Sequence, residues 1–187
     1  MKTFKQFIKE AKDPNQEFYN KIYRQAKAAG DKFPHLVAAQ ASLESGYGAS
    51  PSGKNNYFGQ KATDKEAGSV KATQEFGGGG YYGTSAKFKD YDDESEGVRT
   101  RIKNWSYKYG DAKDEVEAAR RLQLPGGAEI SGSKEKSHGA YATDPEYVGK
   151  LSSVMNTYRG GVDADEEPKQ SKPQTKVTKK KIKFDNV

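Results

Sequence analysis

Apolar residues recur three and four positions apart along most of the chain, the period of an amphipathic helix, and alternate with polar ones over a single stretch. Phe4, Phe7, Ile8 and Ala11 fall on one face of a short amphipathic segment over residues 1–12. Phe18, Ile22, Ala26 and Ala29 share the buried face of a helix predicted over Pro14–Ala29, which Asp13 caps, Pro14 starts and Gly30 stops. A second helix is predicted from Pro34 to Ser45, with Leu36 and Leu43 on one side and Gln40 and Glu44 one turn apart. The Gly-, Ser- and Asn-rich residues from Gly46 to Thr63 read as a loop. Val70–Phe76 alternates, with Val70, Ala72 and Phe76 facing one way and Lys71, Thr73 and Glu75 the other. Gly77–Gly83 then turns and Ala86–Tyr91 returns, a β-hairpin with a long tip. Val98, Ile102, Trp105 and Tyr109 form a helical core stripe, and a further helix follows near Lys113–Leu122. After the break at Pro125-Gly126-Gly127 and a polar loop over 132–139, a last helix starts at Thr143 or Asp144. Pro145 sits in its first turn, Thr143 and Glu146 suit a capping box, and Tyr147, Leu151, Val154 and Tyr158 make its buried face. The fold class is α+β and mainly helical.

Beyond Gly160-Gly161 the composition changes. Asp163–Glu167 is acidic, 168–175 is rich in Pro, Gln and Lys, and Lys176–Lys183 is basic. Such a stretch buries too little to offset the cost of ordering it. The chain of 187 residues therefore divides into a leader (1–12), one domain (13–160) and a disordered charged tail (161–187) whose lysines suit an anionic wall or nucleic acid. A formal charge of +6 and an isoelectric point near 9.2 favour anionic polymers in general. With no cysteine, disulfides and thiolate metal sites are excluded, and His35 and His138 stand isolated, outside any metal-ligand spacing. No apolar run approaches the roughly 20 residues of a membrane span, and the N-terminus lacks the apolar core of a secretory signal.

The chemistry concentrates at Gln40-Ala41-Ser42-Leu43-Glu44-Ser45-Gly46-Tyr47-Gly48. A carboxylate here ends a helix just before glycines turn the backbone. The negative pole of the helix and apolar neighbours both make it harder to ionise. A carboxyl that keeps its proton near neutral pH suits a general acid. The glycine run at 77–80 is not a phosphate loop, since no Lys-Ser/Thr follows and no helix opens after it.

These residues also resemble a known family. Gln40–Gly48, then Asn55-Asn56-Tyr57-Phe58-Gly59-Gln60-Lys61, Thr73-Gln74-Glu75-Phe76, Phe88-Lys89-Asp90-Tyr91 with Glu94-Ser95, and Tyr141-Ala142-Thr143-Asp144-Pro145-Glu146-Tyr147 follow in the order of the motifs of glycoside hydrolase family 73. That family comprises the endo-β-N-acetylglucosaminidases of autolysins, flagellar wall hydrolases and phage lysins. The resemblance spans Phe33 to Tyr158. It implies a lysozyme-like core with the hairpin flanking a cleft, cleavage of the N-acetylglucosaminyl-β-1,4-N-acetylmuramic acid bond of peptidoglycan, and no cofactor or metal. It further implies Glu44 as the acid, Glu75 as the second carboxylate and Tyr141 as a hydroxyl near the reaction centre. Gln40, Ser45, Tyr47, Asn56, Tyr57 and Phe58 match its substrate-binding segments, and Asp144 suits a helix cap. Tyr47 departs from a frequent Trp, and Gln60 from a common Ile.

Two carboxyls about 5–5.5 Å apart imply retention of configuration, and about 6.5–9.5 Å inversion. Attack by the substrate's own acetamido oxygen is a third route. The rival readings are a lytic transglycosylase or muramidase cut, and a non-catalytic basic virion protein that binds glycan or DNA. Ile8-Lys9-Glu10 before Ala11 resembles the cleavage signal of T-even-like prohead proteases, and Met1–Lys5 resembles the leaders of proteins packaged in such heads. That likeness implies a phage-encoded protein packaged with head proteins, trimmed after Glu10 and acting at the bacterial wall; a monomer is expected.

Overall fold

The structure, a computed structural model, describes residues 13–77, 80–124 and 139–166, and the side chains among these except those of 73–77, 80–82 and 163–166. The leader, the break at 125–127, the loop up to His138 and the tail from Glu167 lie outside the described residues.

Helix α1 (Pro14–Ala28) opens with the Asp13 carboxylate accepting from the Asn15 N–H at 3.0 Å. It buries Phe18, Ile22 and Ala26 as the spacing predicts, together with Tyr19 and Tyr23. Helix α2 (Pro34–Ser45) lies at the centre of the domain, packed by α1 and by the last helix. Leu36, Val37, Ala38, Ala39, Gln40 and Ala41 are all fully buried. Its alanines leave room for neighbouring helices to approach closely, and each fully buried leucine such as Leu36 stabilises the fold by about 1.5–3 kcal/mol.

Beyond the hairpin, α3 (Glu94–Trp105) is capped by Asp93, which accepts from Glu96 N–H at 2.8 Å. A short 3-10 turn (Ser106–Lys108) follows. Helix α4 (Glu115–Gln123) is capped by Asp114, which accepts from Glu117 N–H at 2.8 Å. Helix α5 (Tyr147–Glu166) starts later than its sequence signals suggest, because Asp144 and Pro145 lie in the turn before it. It also runs on through Gly160-Gly161, where Val162 is buried against the core. Tyr147, Leu151 and Met155 are buried with it.

Strands β1 (Gly68–Gly77) and β2 (Gly80–Lys89) pair antiparallel with Gly77 opposite Gly80, so the connection is residues 78–79 alone. The tip is therefore short, not long. Tyr81 and Tyr82, expected in the turn, pair with Phe76 and Glu75, in keeping with the strand preference of aromatics. Val70 is 71% exposed, while Lys71 on the other face donates to the Pro51 carbonyl at 2.7 Å. Alternation identifies a strand but not which side receives a neighbour. The root of the hairpin is fastened to the segment before it: Lys89 N–H donates to Gln60 O at 2.9 Å, and Ala62 N–H to Lys87 O at 2.8 Å. Among the described residues no helix is long and apolar enough to cross a membrane.

Candidate active site

An open groove of about 750 Å³ runs between the helical body and the hairpin root. The helical side contributes Glu44, Asn104, Trp105 and Tyr141, and the hairpin side Lys61, Glu66, Phe88 and Lys89. Glu66 accepts from Lys89 Nζ at 2.6 Å and from the Thr63 N–H at 2.8 Å. The bond from Lys89, aided by those from Thr63, lowers its pKa to about 2.

Glu44 stands in the last turn of α2. Gly46 ends that helix in the left-handed region at φ 55°. Gly48, at φ 83°, lies so close to α1 that a Cβ would sit 2.6 Å from a Phe18 ring carbon. The Ser45 hydroxyl donates to Ala41 O at 2.6 Å and accepts from Gly48 N–H at 2.8 Å, which fixes the turn. The Glu44 side chain meets solvent in the groove, yet protein surrounds it on the remaining sides. Burial accordingly raises its pKa above the usual 4.5, and the bond from Tyr147 opposes this more weakly.

Behind Glu44 a chain of polar groups crosses the core. Tyr147, only 3% exposed, donates its hydroxyl proton to Glu44 Oε1 at 3.3 Å. The same hydroxyl accepts from Gln40 Nε2 at 3.0 Å. Gln40 Oε1 accepts from the guanidinium of Arg101, which also donates to the Tyr109 hydroxyl. Tyr109 donates to Asp31 Oδ2 at 2.6 Å, and Arg101 forms a fully buried ion pair with that oxygen at 3.8 Å. Asp31 is held in turn by the Phe33 N–H at 2.8 Å.

Tyr141 donates its hydroxyl to the Phe58 carbonyl at 3.1 Å, and its backbone N–H bonds Leu122 O at 2.7 Å. Burial, with the nearby Glu44 charge adding to it, raises its pKa well above the usual 10.0, so it stays a neutral phenol. Phe58 lines the groove beside it.

The other residues matched to substrate contact sit differently. Gln40 is wholly buried in the polar chain, and Ser45 serves the turn. Asn56 is fully buried and ties its loop together, donating to Gln60 O at 2.9 Å and Lys89 O at 3.0 Å. The Tyr57 hydroxyl donates to Glu94 at 2.6 Å, and its ring meets Phe18 edge on at 5.1 Å. Tyr47 packs edge on against Tyr158 at 5.4 Å. Asp144 accepts from the Glu146 N–H at 2.9 Å, a turn-capping bond. Glu75 stands on β1 opposite Tyr82, and its side chain lies outside the described residues.

Trp105 as a groove residue, Glu66, and the support of Glu44 by Arg101, Tyr109 and Asp31 emerge only in the folded chain. One signal was visible. Arg101 falls between Val98 and Trp105 on the apolar face of α3, and a cation there needs a buried partner.

A profile described as "Glucosaminidase: Mannosyl-glycoprotein endo-beta-N-acetylglucosaminidase" matches residues 20–160. The chain belongs to the glucosaminidase family, glycoside hydrolase family 73. It has that family's lysozyme-like fold. It is 29% identical over 161 residues to exo-glucosaminidase LytG of Bacillus subtilis, a match covering 78% of this chain and 52% of LytG. The chain thus spans about half the length of that relative. A peptidoglycan hydrolase mutant from Sphingomonas sp. A1 superposes with a TM-score of 0.61 at 26% identity, covering 80% of this chain and 99% of that one. A C-terminally truncated glycoside hydrolase domain of Salmonella typhimurium FlgJ gives 0.53 at 26% identity, covering 78% and 98%.

Proposed function

We propose that this glucosaminidase cleaves the N-acetylglucosaminyl-β-1,4-N-acetylmuramic acid bond of peptidoglycan, with Glu44 as the general acid. One observation carries the reading: a carboxyl with a burial-raised pKa ends a helix at the edge of an open groove. Glu44 gives its proton to the departing glycosidic oxygen as an oxocarbenium-like centre develops. Glu75, carried by the hairpin, stabilises that centre or activates water. Along β1 it lies seven residues beyond Gly68, about 23 Å at ~3.3 Å per residue, so the bend of the hairpin governs its approach. Tyr141, a neutral hydroxyl beside Glu44, orients the acetamido group or the water. Trp105 offers apolar surface to sugar rings.

Mass spectrometry of digested sacculi tests the bond. Reducing-end N-acetylglucosamine is expected. Anhydro-muramic ends would make the enzyme a lytic transglycosylase, and reducing muramic ends a muramidase. A phage origin, with packaging in a head, is supported by Ile8-Lys9-Glu10. Intact-mass measurement of the mature protein is then expected to give a chain starting at Ala11, and a retained Met1 removes that origin while leaving the chemistry standing.

A further inference from the structure

We propose that the buried chain Asp31–Arg101–Gln40–Tyr147 is a positioning device that keeps Glu44 Oε1 as a hydrogen-bond acceptor and leaves Oε2 to carry the proton delivered to substrate. The proposal rests on Glu44 being the acid.

The polarity of the chain is set at its far end. Arg101 is fully buried, and a guanidinium has donors only. Gln40 must therefore turn Oε1 toward Arg101 and Nε2 toward Tyr147. A phenol has one proton. Because the Tyr147 oxygen accepts from Gln40, that proton is free to point at Glu44 Oε1, 3.3 Å away. A protonated Glu44 with Oε1 accepting must hold its hydrogen on Oε2. The whole chain thus reads one way, donor to acceptor, from cation to carboxyl.

The device supplies direction without supplying net charge. Asp31 forms a fully buried ion pair with Arg101 at 3.8 Å and also accepts from Tyr109. An uncompensated guanidinium would draw Glu44 toward its ionised form and cost it the proton. With the cation paired, what reaches Glu44 is one oriented dipole. The groups facing Glu44 are few. Gln40 is on its own helix, Tyr141 precedes α5, Tyr147 begins it, and Arg101 of α3 lies beyond Gln40. Lys61, Glu66 and Lys89 come from the hairpin side of the groove.

Gln40→Glu gives the sharpest test. It is nearly isosteric and keeps an acceptor for Arg101, but both its oxygens accept. The Tyr147 proton then turns to position 40 and leaves Glu44. Tyr147→Phe removes the same proton outright. Both variants are expected to melt cooperatively and to lose about 10- to 100-fold in kcat on purified sacculi, with KM within about twofold of wild type. Both are also expected to move the alkaline limb of the kcat–pH profile upward, since the bond from Tyr147 favours the carboxylate. In Tyr147→Phe a role in packing alone would not shift that limb, whereas in Gln40→Glu the added carboxylate also raises it by like charge, so the limb is read from Tyr147→Phe. If either folded variant keeps wild-type kcat and the wild-type limb while Glu44→Gln is inactive, the device is refuted and the acid stands. Activity in Glu44→Gln would instead remove the reading of Glu44 itself.

Discussion

The Trp105 and Tyr141 rings meet edge to face, their centroids 4.9 Å apart at 77°, and both line the groove beside Glu44. Trp105 is braced from behind by Lys108, whose ammonium lies 5.2 Å from the indole centroid. That lysine is itself buried and donates to Leu124 O and Gly139 O, at 2.8 Å each. A ring held on two sides offers a rigid face to a sugar. Trp105→Ala is expected to raise KM about 5- to 10-fold, in line with about 1 kcal/mol for a lost aromatic contact, while kcat changes less. Equal losses confined to kcat would place Trp105 outside the binding surface.

Glu44→Gln is expected to lower kcat by at least about 100-fold while the fold is kept. Its effect on stability has a definite sign. The folded carboxyl has a pKa raised above 4.5, so the native state binds this proton more tightly than the unfolded chain. That contribution is complete below the unfolded pKa and is lost as pH rises through the folded one. Glutamine, which never ionises, escapes the loss. The variant should therefore gain stability relative to wild type as pH rises through this range, read from denaturation midpoints. A difference independent of pH would contradict the raised pKa.

The two candidates for the second carboxylate, Glu75 and Glu66, separate by experiment. Glu75→Gln is expected to cost about 100-fold in kcat with an unchanged melting temperature. Glu66→Gln is expected to cost far less, because Glu66 is held ionised by Lys89 and Thr63 and its bonds serve the hairpin root. The reverse order would identify Glu66 as the second catalytic carboxylate.

Gly48→Ala tests the turn that ends α2. The new methyl would meet Phe18 at 2.6 Å from a backbone at φ 83°, and a loss of about 2–4 kcal/mol is expected from crowding and left-handed strain together. Denaturant midpoints measure it. Gly30→Ala, at φ 79° with open space around it, supplies the comparison and should cost only the strain, about 1 kcal/mol.

Much of this protein was written locally. Asp13 and Pro14 started α1, Pro34 and Gly46 bounded α2, and the 3.6-residue spacing of Phe18, Ile22 and Ala26 marked a buried face, because caps and amphipathic stripes depend on near neighbours along the chain. The placing of Glu44 at a helix end was legible for the same reason. Other features required the folded chain. That Lys71 reaches the Pro51 carbonyl while Val70 stays exposed depended on where the loop around Pro51 came to rest. The strand pairing of Tyr81 and Tyr82 depended on the register of two arms. The chain from Asp31 through Arg101 and Gln40 to Tyr147 joins four separate segments, and Tyr147 and Glu44 are 103 positions apart. Hydrogen bonds of that kind have no period and no spacing. Only packing three helices around Gln40 removed the water that would otherwise have satisfied those groups, and so made them satisfy one another.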